Sequence, residues 1–303
     1  MRICSLLPSA TEIVADLGLV DALVGVSEEC RWPPEVVGKP VVTAPKRSLA
    51  ELSSARIDET VRASLADGGS LYAVDADLIE TLAPDVIVTQ DLCPVCAVSS
   101  GDVTTACAVP AEVISLDPMT LEDVAASVEL LAGRLGVPEV GARVAAAMRD
   151  AIAEVADATR DAPRRRVFVA EWIEPPFTAG HWVPEMVAAA GGVDVLGCAG
   201  RPSRRTTWDE VLAEEPELVV VAACGFDADE ALHRSAGLEL PVPAVVVDGD
   251  GYFSRPAPRL ADGARQLAHL LHPGLVPDPG LPAHRLAPIA APDRRYTSPS
   301  AGL

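Results

Sequence analysis

The sequence predicts an α/β protein of two lobes facing each other across a cleft, and three observations carry that prediction. Short β-branched runs alternate with helical stretches through the first third of the chain, a long helical stretch follows over residues 120–161, and the alternation resumes at Arg166. Strands joined through helices are parallel, because a parallel pair needs a crossover long enough to hold a helix. With 303 residues, 49% of them apolar, the chain is long enough for about two domains of ~150 residues and a sizeable core.

In chain order, residues 2–6 read as a strand and residues 9–16 as a helix, with Ser9 as N-cap and Glu12 at capping-box spacing. A second strand is expected over 22–27, a helix over 75–82, a third strand over 85–89, a helix over 98–106 and a fourth strand over 112–115. The helical stretch is interrupted at Gly136-Val137-Pro138. Its second half, residues 139–161, carries no proline and spans roughly 35 Å at 1.5 Å per residue, enough to brace two lobes. The second series places strands at 166–170, 218–222 and 244–248, and helices around 183–190, 208–214 and 259–271. The expected organisation is an N-terminal α/β lobe (1–119), a helical region containing the interlobe helix (120–165), a C-terminal α/β lobe (166–272), and a Pro/Gly/Ala-rich tail (273–303) that packs irregularly or is disordered. The two series also echo one another, Leu82-Ala83-Pro84-Asp85-Val86-Ile87-Val88 being answered by Glu214-Glu215-Pro216-Glu217-Leu218-Val219-Val220.

Charge narrows the partners. Against 24 basic residues stand 44 acidic ones, a net charge of −20, which repels phosphate backbones and anionic lipid. Neither nucleic acid nor a membrane surface is expected as a partner. No apolar run is long enough for membrane insertion. The opening apolar stretch meets Pro8 too early for a signal-peptide core, so cytoplasmic placement is expected.

Ligands of parallel α/β sheets sit beyond the carboxyl ends of the strands. Six loops in that position hold most of the chemically distinctive residues: Pro8-Ser9-Ala10-Thr11, Glu28 to Pro33, Gln90 to Cys96, Glu171 to Phe177, Cys224-Gly225-Phe226, and Gly249 to Pro256. Aromatic residues number only 11, yet Trp32, Trp172, Phe177, Phe226, Tyr252 and Phe253 lie in these loops, with Trp182 just beyond. Core filling would place rings on strands and helix faces instead, so a cleft-lining wall for a flat or bulky ligand is the preferred reading.

Of seven cysteines, Cys30, Cys93, Cys96 and Cys224 also follow strands. The Cys93-Pro94-Val95-Cys96 spacing suits two thiolates on one metal or a reactive dithiol, with inert buried thiols as the plain alternative. If all four gather at the cleft, Cys93 and Cys96 lie beside Cys30 and Cys224 faces them, a set that selects zinc or another thiophilic metal. His181 reads first as an ordinary hydrogen-bonding residue and second as a ligand contact. Arg255 reads equally as a partner for an anionic or amide group and as a solvated cation. The chain lacks a phosphate loop, a G-x-S-x-G elbow, H-E-x-x-H and a strand-linked G-x-G-x-x-G, so binding is favoured over catalysis.

The segments Arg2-Ile3-Cys4-Ser5-Leu6-Leu7-Pro8-Ser9-Ala10-Thr11-Glu12, Leu23-Val24-Gly25-Val26-Ser27, Leu82 to Val88 and Gly251-Tyr252-Phe253-Ser254-Arg255-Pro256 resemble the helical-backbone metal receptor superfamily, the class III solute-binding proteins, and most of all its cobalamin-binding members. The resemblance covers about residues 2–273. It implies two Rossmann-like lobes joined by one long backbone helix, a shallow cleft with limited hinge motion, and a small-molecule or metal-chelate ligand such as cobalamin, haem or a ferric siderophore. Trp32, Trp172, Trp182, Phe226, Tyr252 and Phe253 carry over as loop-equivalents of the aromatic ligand contacts. The sequence departs from the pattern in showing no export signal and in carrying the four loop cysteines. The expected function is thus a cytoplasmic carrier or store of cobalamin or a related large cofactor or metal chelate rather than an exported receptor, which puts an ABC importer partner in doubt. The alternative is a cysteine-centred metal site or thiol-dependent enzyme on the same scaffold.

Overall fold

The structure is a computed structural model that describes residues 1–49, 51–66, 71–92, 97–107 and 109–288. The first lobe starts with β1 (Ile3–Ser5), α1 (Pro8–Asp16) and β2 (Leu23–Val26). A side unit follows, in which β3 (Thr43–Pro45) and β4 (Tyr72–Val74) pair antiparallel on either side of α2 (Ser54–Ala66). Then come α3 (Ala76–Leu82), β5 (Val86–Thr89), α4 (Ser100–Ala106) and β6 (Glu112–Ser115). The four main strands form a parallel sheet in the order β2-β1-β5-β6.

All four residues of β5 are buried, which explains its unbroken Val-Ile-Val-Thr wording: a central parallel strand is covered on both faces and has no polar side to alternate with. The helices begin where side chains can satisfy free amides. Asp75 accepts from the Leu78 amide and Ser99 from the Asp102 amide, and Thr120 forms a reciprocal capping box with Asp123.

Two helices cross to the second lobe, α5 (Leu121–Arg134) and the 22-residue α6 (Pro138–Thr159), about 33 Å long. Gly136, at φ +79°, ends the first, and Pro138 starts the second where a missing N–H is harmless. A Cβ on Gly141 would lie 2.2 Å from the Ala132 Cβ, so only glycine lets the two helices approach this closely. Further along, α6 packs on helices of the second lobe and so braces both.

The second lobe comprises β7 (Arg165–Ile173), β8 (Pro176–Thr178), α7 (Val183–Ala189), β9 (Gly192–Asp194), α8 (Trp208–Ala213), β10 (Leu218–Val221), α9 (Ala228–Arg234), β11 (Ala244–Val247), α10 (Leu260–Leu271) and β12 (Ala283–Leu286). Its sheet runs β12-β11-β10-β7-β8, with β9 pairing parallel to the start of β7. The chain is therefore the α/β protein expected, two Rossmann-like lobes on a long backbone helix. Among the described residues no helix is long and apolar enough to cross a membrane.

Three local expectations are corrected. Helix α1 starts at Pro8 with Leu7 at its N-cap and no side-chain cap, because proline is already set for the first helical position; Ser9 is internal and Glu12 is turned elsewhere. Part of the tail is regular, since β12 adds antiparallel to β11 and covers the edge that strand would leave open, while residues 289–303 lie outside the described residues. Finally, Trp182 (4% exposed) and Phe253 (1%) fill the core rather than line a cleft, with the Trp182 indole N–H donating to the Phe253 carbonyl at 2.8 Å.

Candidate functional site

The loops at the carboxyl ends of the two sheets meet at two places. At the inner one, Glu12 on the buried face of α1 is 2% exposed and receives two arginines of the second lobe. Arg259 donates from Nε to Oε2 at 2.9 Å and from Nη2 to Oε1 at 2.7 Å. Arg255 donates from Nη1 to Oε1 at 3.2 Å, from Nη2 to the Glu29 carbonyl at 3.1 Å, and from Nε and Nη2 to Asp250 at 3.0 and 2.5 Å. With that many donors engaged, Arg255 is neither the solvated cation nor the open ligand contact that the sequence allowed. Burial works against both guanidinium charges, but the facing carboxylates outweigh it and hold both pKa values above the ordinary arginine value. The Arg259 guanidinium also lies over the Trp32 ring of the first lobe, at 4.7 Å, and the Tyr252 ring of the second, at 5.2 Å.

At the outer place, Trp172 near the end of β7 stacks on Phe226 beyond β10, with centroids 5.2 Å apart, and Arg234 covers Phe226 at 4.3 Å. Phe177 sits opposite Trp172 in the β7–β8 register. The first lobe reaches this wall with the start of α2. The Trp172 indole N–H donates to the Ser54 carbonyl at 3.2 Å and Arg234 Nη1 to the Leu52 carbonyl at 2.7 Å. Asp58 pairs with Arg205 of the second lobe at 3.5 Å and with its own lobe's Arg62 at 3.0 Å.

The remaining candidates are scattered. Pro8 and Ser9 are buried, and the Ser9 hydroxyl has no partner among the described residues. His181 has a left-handed backbone, φ +49°, and rests against Trp182 at 5.5 Å; burial lowers its pKa and favours the neutral ring. Cys30 is buried between the Thr11 and Ser27 hydroxyls at 3.0 and 3.3 Å, and burial pushes its thiol up. Cys224 is half-buried, its amide bonded to the Glu171 carbonyl. Cys93 and Cys96 lie outside the described residues, so the expected four-cysteine cluster is not on view. Among the described residues no group of three or more His, Cys, Asp or Glu side chains is placed to hold a metal ion.

Sequence reasoning missed Glu12, Arg259, Arg234 and the start of α2. A signal for Glu12 was present: an acid on a helix stripe that is otherwise apolar needs a partner from elsewhere. A cavity of about 350 Å³ lies beside α5, lined by Ser115, Asp117, Asp123 and Leu130, away from the contacts between the lobes.

The chain is similar to known proteins in sequence and in fold. The sequence profile described as periplasmic binding protein matches residues 3–240. The vitamin B12-binding protein of Vibrio cholerae is 25% identical over 290 residues, covering 89% of this chain and 88% of its own. A periplasmic haem-binding protein from Pseudomonas aeruginosa superposes with a TM-score of 0.65 at 19% identity, covering 95% of each chain. An ABC transporter substrate-binding protein from Listeria monocytogenes gives 0.64 at 14% identity, covering 90% of this chain and 99% of its own.

Proposed function

The chain belongs to the periplasmic binding protein family, and from that premise we propose that it binds cobalamin, or a porphyrin of similar shape, between its lobes. The observation that carries the reading is the pairing of rings and cations on facing edges, with Trp32 and Tyr252 from opposite lobes against Arg259 and the Trp172–Phe226 stack under Arg234. Flat rings suit a macrocycle's faces, and guanidinium groups suit carboxylate, phosphate or amide oxygens at its margin. The vitamin B12-binding relative supports cobalamin, and the haem-binding neighbour supports a porphyrin as the second choice.

The test is a visible-absorption titration with cyanocobalamin and, separately, haemin. Saturable one-to-one binding of either is expected, and retention of neither on gel filtration overturns the reading. Within it, Trp32→Ala is expected to weaken binding by about 1–3 kcal/mol, on the order of 5- to 150-fold.

The doubt about an importer partner has no support in the comparisons, since the Listeria neighbour is an ABC transporter substrate-binding protein. An importer is therefore retained as the partner class. Cell fractionation separates a cytoplasmic carrier, recovered with cytosolic markers, from an exported receptor.

A further inference from the structure

We infer that the start of α2 is a gate: residues 52–58 of the first lobe cover the aromatic edge of the second lobe and swing off it while the inner contact around Glu12 stays shut. The opening exposes Trp172 and Phe226, and only their use by a tetrapyrrole rests on the function proposed above.

Four observations point to this. First, the buried residues of α2 are Ser54, Ile57 and Asp58, all near its start, whereas α1 is buried from Pro8 through Val14 and α10 along most of its length. The later turns of α2 carry little packing to hold the helix in place. Second, the start of α2 is tied across the cleft by two backbone carbonyls and one ion pair, to Trp172, Arg234 and a half-exposed Arg205. Water replaces such bonds readily on opening. Third, the closed position is imperfect, because the Ser54 hydroxyl oxygen is buried there with no hydrogen-bond partner among the described residues. Fourth, one group couples ring and strap, since Arg234 lies over Phe226 and also holds the Leu52 carbonyl. A flat ligand that takes the Phe226 face displaces Arg234 and releases Leu52 in the same movement.

If the closed form dominates, apparent affinity is reduced by the small open fraction, so loosening the strap raises it. The variant Trp172→Phe deletes the indole donor and keeps a ring on the wall, and Arg205→Ala removes the ion pair at the rim. The double variant W172F/R205A is compared with the unaltered protein by hydrogen exchange without ligand and by stopped-flow mixing with cyanocobalamin. Amides of residues 54–66 are expected to exchange at least severalfold faster in the variant, while amides of α1, β7 and β10 keep their protection and show that the fold is intact. Cyanocobalamin association is expected to speed up severalfold. Unchanged exchange over 54–66 overturns the gate, as does faster exchange accompanied by slower association. If the unaltered protein and the variant both fail to bind cyanocobalamin and haemin, the proposed ligand falls, and the exchange comparison still decides whether the strap opens independently of Glu12.

Discussion

Across the inner contact a carboxylate of 2% exposure meets two guanidinium groups, and across the outer contact two backbone carbonyls meet an indole N–H and the Arg234 guanidinium, with the Asp58–Arg205 pair beside them. Both use second-lobe donors and first-lobe acceptors, but they differ in what happens when they part. Separating Glu12 from Arg255 and Arg259 leaves unlike charges unpaired in surroundings of low polarisability, a cost far above that of exposing a carbonyl. The inner contact therefore sets how the lobes sit on one another, and the outer contact is free to exchange with water or ligand.

The sharpest way to break this contrast is Glu12→Ala. The buried Arg255 and the partly exposed Arg259 then lose their shared partner, and destabilisation of about 3–5 kcal/mol is expected in urea unfolding, against a change near zero if the contact is incidental. A smaller effect comes from pH. Burial, aided by repulsion from Glu29 and opposed by Arg31, pushes Glu28 up to about 7 from 4.5. A carboxyl raised in the folded state binds more protons there than when unfolded, so stability falls as pH rises from about 4.5 to about 7. Glu28→Gln is expected to flatten that slope, by roughly 1–2 kcal/mol over the window after allowing for partial exposure, as read from unfolding midpoints at pH 4.5 and 7.5. Smaller still is Trp172→Phe, whose lost hydrogen bond is worth about 0.5–1.5 kcal/mol. At the end of the series, Arg205→Ala is expected to cost under about 1 kcal/mol, because the buried Asp58 keeps Arg62 and Arg205 itself is half-exposed. Reversal of the order of Glu12 and Trp172 breaks the distinction between the two contacts.

How legible the molecule was depended on how local each cause is. Strands β5, β10 and β11 were readable because burial on both faces demands unbroken Val and Ile, and the α5–α6 break because Gly136 and Pro138 act within one turn. The side unit around α2 was not. Its two strands are three residues each, and the helix sequence Ser-Ala-Arg-Ile-Asp-Glu-Thr is polar enough to pass for a loop. The aromatic clustering singled out Trp32, Trp172, Phe226 and Tyr252, all now in ring or cation contacts, yet it also swept in Trp182 and Phe253, whose neighbours in space close over them. Ser9 and Glu12 had capping-box spacing, but no local rule reveals that two arginines about 245 residues away compete for the acid.

That separation also bears on how the protein is made. Glu12 lies in α1, and its partners follow 243 and 247 residues later in the chain, a wait of roughly 10–50 s at ordinary elongation rates. The first sheet draws all its strands from residues 3–115, so it can close during that interval with the Glu12 carboxylate still hydrated. Docking of the lobes is then a late event in biogenesis, completed only when the segment bearing Arg255 and Arg259 has emerged, and a chain stalled before it displays an open acidic seam for chaperones and proteases to recognise.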